Sequence, residues 1–364
     1  MDLNRYNRQM LLPDFGKTAQ EKLSQSSVLV IGAGGLGCPV LQILASSGVH
    51  CIGIADFDDV DLHNLHRQFL FTEKEIGQPK VTVAANRLKE INSEIEIKIF
   101  KIPVNAENVI SIIRDFDVIV DCTDNFSTRY LINDACFIRQ KPLVYGSIFR
   151  YEGQVAIFNV MKDGKITNYR DLFPNSPKPD EVPNCNEAGV LPTLSSIIGT
   201  IQANETIKLL IGSPEVLVHQ LLVFDLQKYQ FMTIQFEEDQ NKIFPRNEKE
   251  LKDFNYEKFC GIKTEDEINS PVQLKKFLKE EQSVLVDVRE IDEYPRLSEI
   301  KLKEIPLSVL NENIETLKEF NHICFICASG ARSRKAMETA KSFLPEKNIK
   351  HYPSGAKSIE DEKN

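Results

Sequence analysis

Short apolar runs separated by amphipathic stretches fill the first two thirds of the chain. Val28-Leu29-Val30-Ile31 is an unbroken block, as are the runs at 51–55 and 143–146; 118–121 is apolar up to its closing Asp121, while 95–99 alternates Ile with charge. Unbroken four- and five-residue blocks rich in Val and Ile predict strands buried on both faces. Between the runs, apolar positions recur at helical spacing over 36–47, 80–91 and 128–139. Such alternation predicts an α/β fold, a doubly wound, Rossmann-like and mostly parallel sheet. Two further strand-like runs, 154–159 and 221–225, flank a long helix over 194–211. The proline-rich stretch 171–184, DLFPNSPKPDEVPN, predicts an extended surface loop. Periodicity gives way to charge near 237–264, and a second, shorter α/β pattern follows: a helix over 271–279, strands at 283–288 and 323–326, and a helix over 332–343. The organisation expected is a first domain over 1–238, a linker over 239–263 and a smaller α/β domain over 264–364.

The first candidate chemistry lies where the first strand ends. IGAGGLGCP (residues 31–39) predicts a strand, a glycine turn and a helix start, which together cradle phosphates with backbone N–H groups. Taken alone, the loop fits a mononucleotide or a dinucleotide. Asp56, ending the second strand, suits a ribose hydroxyl in either case. The companions separate the readings. Asn64 and Arg67 follow just beyond Asp56, and Lys80 opens a helix. An NAD site has little use for further cations. A triphosphate attacked at its α-phosphorus needs several, because charge builds on the departing pyrophosphate. DCTDN (121–125) ends the fourth strand at the same sheet edge, where a carboxylate can hold magnesium.

Composition narrows the class. The net charge of −9 and the lack of a Lys/Arg tract argue against a nucleic-acid surface. No apolar run is long enough to span a bilayer, and MDLNRYNRQM lacks a signal-peptide core. Eight cysteines in such a chain fit a reducing compartment, so a cytoplasmic location is expected. Cys38, Cys51, Cys122 and Cys136 fall in strand or helix patterns and read as small buried apolar residues.

RYNRQ (5–9), GAGGLG (32–37), DFD (56–58), NLHRQ (64–68), GQPK (77–80), DCTDN (121–125) and CNEAGV (185–190) closely resemble the MoeB/ThiF adenylyltransferases, over roughly residues 1–236. The resemblance implies ATP-dependent adenylation of the C-terminal glycine of a small ubiquitin-like sulfur-carrier protein ending in Gly-Gly. It places Gly32, Gly34, Gly35, Gly37, Asp56, Asp58, His63, Asn64, Leu65, His66, Arg67, Gln68, Lys80, Asp124 and Asn125 at the nucleotide, with Asp124 holding magnesium. Arg8 matches an arginine that reaches into the neighbouring subunit, which implies a homodimer. Cys185 matches a cysteine that can link covalently to the carrier or its sulfur. Many relatives hold a structural zinc with two CxxC pairs. Here Asp171 stands near where one pair would lie, and the only CxxC is Cys324–Cys327, so no zinc is expected.

In the second domain, CFICASGARSRKA (324–336) carries a cysteine into a glycine-containing loop and a helix start, a setting that favours a thiolate. With Asp287-Val288-Arg289-Glu290 and Glu293-Tyr294 it resembles a rhodanese domain, and Cys327, Arg332 and Ser333 keep the family's six-residue spacing. The His-Pro-Gly-Ala stretch expected after Tyr294 is missing, and the SGAKS tail (354–358) is abbreviated. The joint expectation is carrier adenylation followed by sulfur transfer from Cys327, with Cys185 resolving the product and a donor such as a cysteine desulfurase supplying sulfur. The carrier serves molybdopterin or, alternatively, thiamine synthesis. An NAD-dependent oxidoreductase and a non-catalytic scaffold are the rival classes; both leave Arg67, Lys80 and Asp124 unexplained.

Overall fold

Strand β1 (Ser27–Ile31) sends Val28 and Val30 into one core and Leu29 and Ile31 into another. Both faces of the sheet are covered, which is why the sequence shows an unbroken apolar block there. The computed structural model describes residues 3–177, 189–261, 266–268, 270–291, 293–294, 302–328, 330–353 and 355–356. The chain divides into two compact units, Met1–Ile262 and Lys263–Asn364.

The first unit runs α1 (Asn7–Met10), α2 (Gly16–Leu23), β1, α3 (Gly37–Ser47), β2 (Cys51–Ala55), α4 (Lys80–Ile91), β3 (Glu96–Phe100), α5 (Val109–Ile113), β4 (Val118–Asp121), α6 (Phe126–Ile138), β5 (Leu143–Phe149) and β6 (Glu152–Phe158). A small hairpin of β7 (Met161–Lys162) and β8 (Lys165–Ile166) follows, then α7 (Tyr169–Leu172), α8 (Pro192–Ile211), β9 (Gln220–Asp225) and β10 (Gln230–Gln235). The main sheet has the order β10-β9-β6-β5-β4-β1-β2-β3. Its five strands from β5 to β3 are parallel, and β6, β9 and β10 are added antiparallel. The order reverses at β1, with β2 on one side and β4 on the other, so the carboxyl ends of β1 and β4 open the crevice where such sheets bind ligands.

Sequence punctuation sets the helix limits. Gly48 adopts φ +82° and closes α3, and Pro192 opens α8, which Gly212 ends at φ +79°. Gly53 in β2 has a packing reason, since a Cβ there would lie 2.4 Å from the Phe116 ring. The stretch expected to link the domains instead carries α9 (Glu248–Asp253) and α10 (Tyr256–Phe259), capped by the Asn247 and Asn255 side chains. Leu251, Tyr256 and Cys260 join the core over α6, too few apolar anchors to register as a period. Among the described residues no helix is long and apolar enough to cross a membrane.

The second unit is a parallel sheet of order β12-β11-β13-β14, built from β11 (Ser283–Asp287), β12 (Leu302–Glu304), β13 (His322–Ile326) and β14 (Asn348–Tyr352). Helices α11 (Pro271–Phe277), α12 (Leu310–Asn313) and α13 (Ala331–Phe343) accompany it. Val286, Ile323 and Phe325 line one core, and Leu285, Cys324 and Ile326 the other.

Candidate active site

The glycine loop leaves β1 under tight backbone constraint. Gly32 has φ +98°, and a Cβ there would lie 2.6 Å from the Cys122 carbonyl oxygen; one on Gly37 would lie 1.9 Å from the Gly32 oxygen. These two positions need glycine for the turn itself. Gly34 and Gly35 instead face side chains. A Cβ on Gly34 would lie 3.7 Å from Gln68 Nε2, and one on Gly35 would lie 3.2 Å from Ser195 Cβ and 3.4 Å from Arg67 Cγ.

Asp56 braces this loop. Its Oδ2 accepts from the Ala33 N–H at 2.7 Å and its Oδ1 from the Asp58 N–H at 2.8 Å. Burial pushes the Asp56 carboxyl up, and the Lys80 ammonium opposes that rise. Lys80 starts α4 with only 3% of its surface exposed, and its Nζ donates to Asp58 Oδ2 at 2.9 Å. Asp58 is half exposed and so stays hydrated.

The NLHRQ turn supplies the guanidinium. Arg67 Nη2 donates to the buried Asn64 Oδ1 at 3.1 Å and Nη1 to the His63 carbonyl at 3.2 Å. Leu65 packs on the core, and Gln68 is buried with its Oε1 lacking a hydrogen bond from any described residue. His63 and His66 are exposed and bond within the turn, His63 to Asp61 and His66 to the His63 carbonyl.

Across the crevice, Asp121 is wholly buried and Asp124 is exposed. Asp121 Oδ1 accepts from the Thr123 N–H and hydroxyl at 2.9 and 2.7 Å, and burial drives its carboxyl up. Asp124 makes no hydrogen bond or ion pair with any described residue, and its charge adds to the rise of Asp121. Asn125 serves the fold, since its Oδ1 caps α6 by accepting from the Thr128 N–H at 2.9 Å. Arg8, on the short α1, is exposed and likewise has no bonding partner among the described residues. Cys185 lies outside the described residues, as does the rest of 178–188.

Three residues that sequence reasoning passed over shape the crevice. Gln202 of α8 is buried and donates from Nε2 to the Asp121 carbonyl at 2.8 Å. Arg129 of α6 donates to the Thr123 carbonyl at 3.0 Å and stacks on Tyr145 at 5.1 Å, holding the 121–125 turn. Ser195 stands beside Gly35.

Asp171, near the absent cysteine pair, is part of a buried ion pair. Lys242 Nζ donates to its Oδ1 at 2.6 Å, and the Asp239 N–H adds a bond at 2.7 Å. Both side chains are almost fully enclosed, at 2% and 0% exposure.

In the second unit Cys327 follows β13 directly. The thiol is buried, and its Sγ accepts from the Gly330 N–H at 3.1 Å and the Ser333 N–H at 3.4 Å. Gly330 has φ +88°, and a Cβ there would lie 2.3 Å from the Pro353 oxygen. Gly355, of the abbreviated tail, backs the loop, because a Cβ there would lie 2.0 Å from the Ala328 oxygen. Arg332 makes a two-pronged ion pair with Glu293, Nη2 donating to Oε2 at 2.7 Å, which holds the Glu293 carboxyl down to about 2. Arg289 pairs with the buried Asp287 at the end of β11.

Comparison with known proteins places this geometry. The model of the ThiF family matches residues 6–244. The chain belongs to the ThiF family. The "Adenylyltransferase and sulfurtransferase MOCS3" of Culex quinquefasciatus is 40% identical over 322 residues, covering 85% of this chain and 72% of that protein. The "Sulfur carrier protein adenylyltransferase" of Thermus thermophilus is 40% identical over 265 residues, 72% of this chain and 98% of that protein. Among solved structures, E. coli MccB with ATP superposes at a TM-score of 0.56 with 20% identity, over 66% of this chain and 73% of that one. At that identity the likeness concerns the fold.

Proposed function

We propose that this ThiF-family enzyme adenylates the C-terminal glycine of a small ubiquitin-like sulfur carrier and then delivers sulfur to it. Its ThiF-family relatives carry names for adenylyl and sulfur transfer. What supports the reading is the company the glycine loop keeps: Arg67 beside Gly35, the buried Lys80 coupled to the Asp56 that braces the loop, and Asp124, without a bond to any described residue, coupled to Asp121 at the end of β4. A redox dinucleotide leaves those three charged groups unused, whereas a triphosphate gives each of them a role.

The carrier's carboxylate attacks the α-phosphorus of ATP, forming an acyl adenylate and releasing pyrophosphate. The loop N–H groups and Asp56 hold the nucleotide, while Arg67 and Lys80 meet the charge that grows on the leaving group. Magnesium fits the donor set present: it keeps most of its waters and takes one or two carboxylates beside phosphate oxygens. Asp124 would hold it, and it would supply charge neutralisation on the phosphates. Arg8, exposed near Leu11 and Leu12 on the same terminal segment, would complete the site of a second subunit in a homodimer.

Sulfur transfer falls to Cys327. A persulfide there attacks the acyl carbon, displaces AMP and leaves an acyl disulfide. The Cys185 thiol attacks the Cys327 sulfur, releasing the carrier's thiocarboxylate and leaving a Cys185–Cys327 disulfide for a thiol reductant to reset. The sulfur donor is a persulfide-bearing enzyme of the cysteine desulfurase kind, the setting is the cytoplasm, and the carrier serves molybdopterin synthesis ahead of thiamine synthesis. Mass spectrometry of the carrier after one turnover tests the scheme. Cys327→Ala should keep carrier-dependent ATP–pyrophosphate exchange and yield no thiocarboxylate. Thiocarboxylate at the wild-type rate from that variant would overturn the role of the second unit.

A further inference from the structure

A row of polar side chains runs inward from Cys327. Its Sγ lies 3.7 Å from Ser333 Oγ, Ser333 Oγ lies 3.3 Å from His351 Nδ1, and His351 Nε2 lies 3.3 Å from Glu267 Oε1. Cys327 and Ser333 have no exposed surface, and the His351 and Glu267 side chains keep 1% and 8%. A histidine this enclosed costs stability unless both ring nitrogens are satisfied, and here each has a partner.

The proton count defines what the row can do. The Ser333 hydroxyl has one proton and, among the described residues, three neighbours: the Gly330 carbonyl at 2.9 Å, His351 Nδ1 and Cys327 Sγ. With that proton on Nδ1, the hydroxyl oxygen is free to accept from the thiol, and a neutral imidazole donates from Nε2 to Glu267. With a hydroxyl proton facing Cys327 Sγ, or turned from there to the Gly330 carbonyl, the oxygen accepts from Nδ1–H, and the ring is an imidazolium paired with Glu267. We propose that these are the two ends of one proton transfer. The Cys327 thiol proton passes to Ser333 as the serine's own proton passes to His351 Nδ1. The products are a thiolate, an intact hydroxyl and an imidazolium compensated by Glu267; no electrons move. The relay deepens the sulfur-transfer reading, and it makes His351 and Glu267 positioning residues for the sulfur.

Other charges surround the same thiol. Arg332 of α13 couples to it while held by Glu293, with Glu290 nearby. The Asp287–Arg289 pair ends the adjacent β11. Arg334 bonds Glu267, Lys341 bonds Asp266, and Lys350 lies next to His351 on β14. Arg332 and the two loop N–H groups favour a thiolate by themselves. What the relay adds is a place for the proton, and the test reads that increment.

The full-length reduced protein is titrated by ultraviolet thiolate absorbance, with the Cys327→Ser trace subtracted. His351→Asn and Glu267→Gln should each raise the midpoint by about one unit, an about tenfold loss of thiolate below both midpoints. Circular dichroism and the thermal midpoint report whether each variant is folded. Independently, NMR of the histidine rings in the otherwise native protein should show one ring whose titration moves when Cys327 is alkylated. Unchanged midpoints in folded variants would overturn the relay, as would histidine titrations indifferent to alkylation. Persulfide uptake from inorganic polysulfide is scored separately by mass. Its absence with the titration shifts intact would refute sulfur transfer while the relay stands.

Discussion

Replacing Lys80 by Met separates two things a buried ammonium can do. Its Nζ is nearly enclosed and has one carboxylate partner among the described residues, Asp58 at 2.9 Å, while Asp58 is itself half exposed. Breaking a buried pair costs about 3–5 kcal/mol when the surviving charge is stranded away from water. Asp58 is not stranded, and Met keeps the apolar stem in place. The fold should therefore lose no more than about 1 kcal/mol, the scale of a pair with one wet partner. Chemistry should lose far more. Removing one preplaced donor from a site where charge develops costs roughly 2.7–4 kcal/mol, or about 10²–10³ in rate. Carrier-dependent exchange of labelled pyrophosphate into ATP reads the chemical loss, and the thermal midpoint reads the fold. Exchange should fall at least about a hundredfold while the midpoint moves only a few degrees. Losing Lys80 also removes the charge that opposes the rise of the Asp56 carboxyl. Since the ionised Asp56 accepts the loop's N–H bonds, residual exchange should shift to higher pH. Exchange within about threefold of wild type, a difference under 1 kcal/mol, would refute the assignment of Lys80 to the leaving group.

Arg8→Ala and Asp124→Ala subunits should each be inactive in exchange yet recover part of the activity when mixed, because one hybrid site is whole; no recovery despite demonstrated subunit exchange would mean each chain works alone. Lys242→Met leaves the wholly enclosed Asp171 without its counter-charge, so denaturant unfolding should show a loss of about 3–5 kcal/mol, and a loss under about 1 kcal/mol would mean that the Asn168 and Asp239 N–H bonds satisfy the carboxylate by themselves. The Arg332 hydrogen bond holds Glu293 near 2, below the ordinary value of about 4.3. Its stabilising share is therefore complete above that ordinary value and disappears as pH falls through about 2. Glu293→Gln should flatten this part of an acid titration followed by circular dichroism, and superimposable acid curves would count against the pair.

What the sequence made legible follows the physics of burial. The parallel strands at 51–55 and 118–121 are readable because both faces are covered, so every residue is apolar save Asp121, which closes the second at the sheet's carboxyl edge. Strand β10 was not, since all six of its residues are exposed and Phe231, Met232 and Ile234 stand among polar neighbours without a clean alternation. Helices α9 and α10 were read as linker because each is held by a capping asparagine and one or two apolar anchors, less than a period needs. The site divides the same way. Gly32 and Gly37 announce themselves, because close backbone approach leaves no alternative to glycine. Lys80 could be suspected from its place at a helix start, but its enclosure and its bond to Asp58 come from packing across 22 residues of chain. Asp121 and Asp124 look alike in DCTDN, yet one is buried against Thr123 and Arg129 and the other is open to solvent. Only the turn held by Arg129 and Gln202 distinguishes them. Long-range partners of this kind are where motif reading ends: Glu267 and His351 stand 84 positions apart, in no motif, and meet because β14 pairs with β13 in parallel and Glu267 bridges to His351 on the far side of β14.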